Sequence, residues 1–158
     1  MIHGTRIPRV LFVCTYFGAR SLIAEGFCRQ LAPHKIAPFC SGFEAGKIGS
    51  KVIDLMNEVA IVPSTKPLKT VFERHRQKEV FDYVVTLCHE VSAEECPVFQ
   101  NCVDTMYSRE ARRIQWSIED FYSLEGEGEV WLKAAREIRD TIKTKVIQLI
   151  AQIEREQD

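Results

Sequence analysis

Short β-rich runs alternating with helical patterns point to an α/β fold: a doubly wound, four-stranded parallel sheet in three layers, with helices on both faces. Three observations carry this reading. Residues 10–13, VLFV, form an apolar β-rich run that ends at Cys14 and leads quickly into a helical pattern. Residues 81–88, FDYVVTLC, are almost continuously apolar, which suits a central parallel strand covered on both sides. Trp131, Ala134, Ile138, Ile142, Val146, Leu149 and Ile153 then form a long apolar stripe at helical spacing, suited to packing on a core.

The remaining elements follow in order. Residues 1–8 read as a short lead-in, and one domain is expected over 1–158. A helix spans 22–31 and stops before Pro33, which cannot continue it. IAPFCS, residues 36–41, reads as a second strand, with Pro38 suggesting a sheet edge. Gly42, Gly46 and Gly49 loosen the next connection. Ser50 is then a candidate N-cap for a helix carrying Val52, Leu55, Met56 and Val59. Residues 63–67 read as a turn, 68–80 as a basic, polar helix with a solvated face, and 112–118 as a shorter fourth strand. Gly126 and Gly128 break the chain before the last helix.

Composition narrows the partners. The chain has 158 residues, 46% of them hydrophobic and 27% charged, with a formal net charge of -1. A chain of this size can bury about 70% of its unfolded surface without staples. Neither a nucleic acid nor a membrane surface is an expected partner. The apolar runs fall far short of a bilayer span, and residues 1–8 lack the apolar core of a signal peptide, so a cytoplasmic location is expected. There are six cysteines, Cys14, Cys28, Cys40, Cys88, Cys96 and Cys102, but no C-x2-C pair, and the four histidines are scattered. No metal site or cofactor is expected, and catalytic or redox use of some cysteines is the better reading. A monomer is expected.

The chemistry concentrates in residues 9–27, RVLFVCTYFGARSLIAEGF. Strand, C-x5-R-S loop and helix follow one another. A loop of this length entering a helix can turn successive backbone N–H groups inward as an anion nest. The candidate nest is Thr15, Tyr16, Phe17, Gly18, Ala19, Arg20 and Ser21, with the Arg20 fork suited to a tetrahedral oxyanion. Cys14 would lie beneath the anion as nucleophile. In a sheet of this type ligands bind beyond the carboxyl ends of strands, and Cys14, Cys88 and Asp120 all fall at or just after such ends.

VLFVCTYFGARSLIAEGF resembles the opening of the low-molecular-weight protein tyrosine phosphatase superfamily, and most of all its thioredoxin-coupled arsenate reductases. SGFEAGKIGSKVIDLMNEVAI is similar to the family's second strand-to-helix unit. Phe17 stands where the family loop carries an asparagine. TLCHEVSAEECP resembles the reductases' second and third cysteines, and the resemblance implies a relay in the order Cys14, Cys88, Cys96, with thioredoxin reducing the final disulfide. Eight helical residues rise about 12 Å, whereas a disulfide needs Cα atoms within about 7 Å. The segment between Cys88 and Cys96 must therefore fold back, and it is expected to be mobile. QWSIEDFYSLEGE is similar to the family's tryptophan and aspartate-proline loop, with Phe121 in place of the proline. This implies Asp120 as general acid, with Glu119 as a substitute. Cys28 is assigned to packing, Cys102 to a polar loop as an alternative partner for Cys96, and His75 to a solvated face.

Three functions compete. Arsenate reduction uses all three relay cysteines. A phosphatase acting on phosphotyrosine or small phosphate esters needs Cys14, Arg20 and Asp120 alone. A non-catalytic oxyanion-binding domain would keep the fold without turnover.

Overall fold

The computed structural model describes residues 6–15, 18–44, 46–63, 68–89, 95–107, 109 and 111–157, with the backbone alone for 95–98. In chain order the elements are β1 (Arg9–Cys14), α1 (Ala19–Leu31), β2 (Ala37–Gly42), α2 (Ser50–Asn57), α3 (Val71–Arg76), β3 (Tyr83–Leu87), α4 (Glu95–Tyr107), β4 (Arg112–Trp116) and α5 (Gly128–Gln157). The strands pair in parallel in the order β2-β1-β3-β4. This is the expected four-stranded α/β sheet.

Strand alternation explains the layers. Val10, Phe12 and Cys14 on β1, with Tyr83, Val85 and Leu87 on β3, join a core shared with α1, α2 and α5. Leu11, Val13, Val84 and Cys88 point the other way, to a second core with Val71 of α3 and Phe99, Val103 and Tyr107 of α4. Every residue of β3 is buried, as its almost continuous apolar run requires, and the Thr86 hydroxyl is hydrogen-bonded to Gln100 at 2.8 Å. Pro38 sits on β2 at the sheet edge, where its missing N–H costs no ladder bond.

Several boundaries differ from the sequence reading. α1 begins at Ala19, so Arg20 and Ser21 lie in its first turn rather than in the loop. Ser50 is the first residue of α2 and Gly49 its N-cap. The helix expected over 68–80 contracts to Val71–Arg76. Gly42 bridges Thr70 and keeps that end extended, while the Thr70 hydroxyl caps the helix by accepting from the Glu73 N–H at 3.1 Å. At the other end Lys78, at φ 58, turns the chain, and Glu79 N–H reaches back to the Arg74 carbonyl.

The largest difference is α4, which places Cys102 on a helix and not in a polar loop. Its signal was in the sequence: Phe99, Val103 and Tyr107 recur every four residues, and Pro97 is tolerated in a first turn. Ala135, rather than Ala134, is the alanine fully buried in the α5 stripe. Residues 90–94, which the relay expects to be mobile, lie outside the described residues, as do 64–67 of the expected turn. Among the described residues no helix is long and apolar enough to cross a membrane.

Candidate active site

The site begins at the carboxyl end of β1. Cys14 is the last residue of that strand, opposite Gly42 of β2 and Leu87 of β3. Its side chain is buried, with Sγ 3.4 Å from the Ser21 hydroxyl. That hydroxyl is held in turn, 2.9 Å from the Gly18 carbonyl and 3.1 Å from the Ser41 carbonyl. Its single proton can serve either carbonyl while its lone pairs accept from the thiol. Once sulfur is a thiolate, the same proton can turn to it.

Gly18 makes this approach possible. It is the N-cap of α1 at φ 95, a left-handed conformation that side chains strain. An added Cβ would lie 3.3 Å from the Gly42 backbone nitrogen and 3.3 Å from the Ser21 hydroxyl. Because Gly18 brings no side-chain acceptor, the first-turn amides of α1 receive no side-chain cap. Such amides suit an external anion.

Arg20, in the first turn of α1, ties the site to the segment after β4. Its side chain is 3% exposed, so its charge depends on internal partners. One terminal nitrogen donates to the Ile118 carbonyl at 2.8 Å, and the other to the Thr15 hydroxyl at 2.6 Å. Asp120 approaches the second nitrogen at 3.7 Å. These contacts leave guanidinium N–H groups to receive an anion and fix the plane in which they do so.

Asp120 is itself placed by a 3-10 turn at Phe121–Ser123. Its carboxylate accepts from the Tyr122 N–H at 3.2 Å, and its carbonyl accepts from the Ser123 hydroxyl at 2.7 Å. Tyr122 is 54% exposed, and its phenol lies within the field of Asp120 and Cys14. Burial raises its phenol pKa, and the Asp120 and Cys14 charges push it the same way. A Gly49 backbone N–H acts in the opposite direction.

Cys14, Thr15, Gly18, Ala19, Arg20, Ser21 and Asp120 are thus gathered from β1, α1 and the segment after β4. Tyr16 and Phe17 lie outside the described residues. Cys88 follows the residue paired with Cys14, and its N–H donates to the Trp116 carbonyl at 3.1 Å. Its side chain nevertheless packs in the core on the other sheet face, with Phe99 and Val103. Cys96 falls at the start of α4, but its side chain lies outside the described residues. Burial pushes the Cys28 thiol up to about 12 and the Cys40 thiol well above its usual value, which makes both poor nucleophiles. Among the described residues no cluster of histidine, cysteine and carboxylates could hold a metal ion.

Sequence reasoning missed the Ile118 carbonyl, the Ser41 carbonyl and Gly42. The first two act through backbone oxygens and Gly42 through its backbone nitrogen, so residue type carried little signal.

Residues 9–158 match the low molecular weight phosphotyrosine protein phosphatase family. The arsenate reductase of Halalkalibacterium halodurans is 28% identical over 137 residues, covering 87% of this chain and 91% of that protein. The glutaredoxin arsenate reductase of Synechocystis sp. is 30% identical over 147 residues, covering 93% and 99%. A solved arsenate reductase in the phosphate binding state superposes with a TM-score of 0.69 at 26% identity, over 93% of this chain and 99% of that one. Because that family match takes in nearly the whole chain, the four parallel strands and every described residue of the candidate site included, the chain belongs to the low molecular weight phosphotyrosine protein phosphatase family.

Proposed function

We propose that this chain is an arsenate reductase working through a three-cysteine relay, monomeric and cytoplasmic. The observation that carries the reading is the Cys14–Ser21–Arg20–Asp120 constellation, in a chain that also carries Cys88 and Cys96 and whose relatives of matching length are named arsenate reductases.

The Cys14 thiolate attacks arsenate held by the α1 amides and Arg20. A sulfur–arsenic bond forms and an arsenic–oxygen bond breaks, with Asp120 protonating the leaving oxygen. The Cys88 thiolate then attacks the Cys14 sulfur. The sulfur–arsenic bond breaks, its electron pair stays on arsenic, and arsenite leaves behind a Cys14–Cys88 disulfide. Attack by Cys96 on Cys88 frees Cys14 and leaves a Cys88–Cys96 disulfide, which an external dithiol reduces. Because Cys88 packs on the opposite sheet face from Cys14, the second step requires the segment after β3 to re-aim its side chain.

Thioredoxin is the assigned reductant, and the name of the Synechocystis relative makes glutaredoxin the comparison. Arsenate-dependent NADPH oxidation, with thioredoxin and its reductase, is measured on wild type and Cys96→Ser. Many turnovers in the wild type and one or none in the variant are expected. Turnover unchanged in Cys96→Ser would overturn the relay.

A second reading is favoured by the different faces of Cys14 and Cys88: a phosphatase, which needs only Cys14, Arg20 and Asp120. Aryl phosphate hydrolysis without arsenate turnover would establish it. Inactivity toward both would leave an oxyanion-binding domain.

A further inference from the structure

Arg74 lies on α3, outside the loop that holds the anion, yet all three of its guanidinium nitrogens are committed. Nε donates to the Ser41 hydroxyl at 2.7 Å, and Nη2 to the Cys40 carbonyl at 3.1 Å. Nη1 donates to the Glu79 carboxylate at 2.8 Å. The guanidinium also lies over the Phe39 ring, 5.4 Å from its centroid. Arg74 therefore grips three successive residues, Phe39, Cys40 and Ser41, near the carboxyl end of β2.

That strand end adjoins the candidate site. Ser41 pairs with Val13 and Gly42 with Cys14. The Ser41 carbonyl is one of the two that hold the Ser21 hydroxyl, which in turn contacts Cys14 Sγ at 3.4 Å. Gly42 is the backbone against which Gly18 closes, and it also bridges Thr70 at the entrance to α3. β2 is an edge strand, so its outer side has no neighbouring strand to hold it.

Glu79 keeps the grip in place. Lys69 Nζ lies 3.1 Å from its second oxygen and also donates to Gln77 at 2.8 Å. Burial alone would raise the Glu79 carboxyl, but the Lys69 hydrogen bond and the Arg74 charge outweigh it and hold it below the usual carboxylate range. The carboxylate is charged at neutral pH, and Arg74 keeps an ionised anchor.

We infer that Arg74, anchored by Glu79, is a positioning residue for Cys14: it clamps the end of β2 so that the Ser41 carbonyl orients Ser21 against the sulfur. This rests on the reading of Cys14 as nucleophile and leaves the oxyanion to the α1 amides and Arg20. Loss of the clamp therefore acts on the rate of sulfur attack more than on anion binding.

The test measures two quantities on wild type, Arg74→Gln, Arg74→Lys, Ser41→Ala and the Ser41→Ala/Arg74→Gln double variant, with thermal melting alongside. One is the rate at which iodoacetate carboxymethylates Cys14, mapped by mass spectrometry. The other is kcat and KM for arsenate, or for an aryl phosphate if that is the substrate turned over. Arg74→Gln is expected to slow carboxymethylation and kcat about tenfold, while KM changes less than about threefold. Arg74→Lys should recover part of both. Ser41→Ala should slow them less than Arg74→Gln does, and the double variant should be no slower than Arg74→Gln alone, because both act along one path.

An Arg74→Gln protein that melts lower but attacks at the wild-type rate would overturn the inference and reduce Arg74 to an edge cap. If Arg74→Gln does not fold, the wild-type rate in both Arg74→Lys and Ser41→Ala has the same consequence. A wild type inactive toward arsenate and aryl phosphate would defeat the proposed function alone, since carboxymethylation of Cys14 needs no substrate.

Discussion

Replacing Gly18 by alanine tests the loop geometry at its tightest point. Its φ of 95 lies in the left-handed region, where an L side chain costs about 1–2 kcal/mol. The new Cβ would meet Leu68 Cδ1 at 3.2 Å, which can swing aside. It would also meet the Gly42 nitrogen and the Ser21 hydroxyl, each at 3.3 Å, and these cannot both yield. Gly42 is fixed by its register with Cys14, and Ser21 by two carbonyls. Adding a small overpacking cost, we expect a loss of about 2–3 kcal/mol. That is a large share of the ~5–15 kcal/mol by which folded proteins are stable. For a chain of this size it corresponds to a melting temperature lower by roughly 4–12 °C. Gly49→Ala is the control: its φ is -67 and an added Cβ meets nothing within 4 Å, so a change within about 0.5 kcal/mol is expected. Urea denaturation of both variants, with phosphate binding followed by calorimetry, reads the outcome. The reasoning is refuted if Gly18→Ala is no less stable than Gly49→Ala and binds phosphate as the wild type does.

Two further predictions concern packing and charge. An alanine Cβ at position 26 would lie 2.5 Å from Ile61 Cγ2, so Gly26→Ala should destabilise by about 1–2 kcal/mol despite its better helix propensity. In denaturant titrations, combining it with Ile61→Ala should cost less than the sum of the two, and simple additivity would count against the clash. Hydrogen bonds from Arg136 and then Arg139 hold the Glu58 carboxyl down at about 2. A depressed carboxyl contributes stability above its unfolded value, ordinarily ~4.3, and loses it as pH falls toward the folded value. The advantage of wild type over Glu58→Gln should therefore be full at pH 7 and shrink steadily below about pH 4.5. An advantage that stays flat down to pH 3 would contradict the assigned cause.

Much of the architecture was legible because it follows from local periodicity. The apolar run of β3 announced a buried central strand, Pro38 announced an edge, and the stripe on α5 announced a packed face. α4 was legible too, through Phe99, Val103 and Tyr107, but the Cys96–Pro97 pair drew attention to chemistry and away from the helix it opens. The limits of α3 were harder to read. Its basic run continues smoothly past both ends, and only the Gly42–Thr70 bridge and the turn at Lys78 show where it stops.

For the candidate site, sequence alone determined the residue types: a cysteine at a strand end, an arginine and serine entering a helix, an aspartate after the fourth strand. Those are set by chemistry that only a few side chains can perform, at spacings one strand and one helix turn impose. Tertiary structure decided what holds them. The Ile118 carbonyl that fixes Arg20, the Ser41 carbonyl that holds Ser21, and the grip of Arg74 on β2 each join residues at least 20 positions apart. It also decided that Cys14 and Cys88, at the ends of adjacent strands, face opposite cores. A strand turns successive side chains to opposite faces, and the register between two strands is set by the packing of the whole sheet.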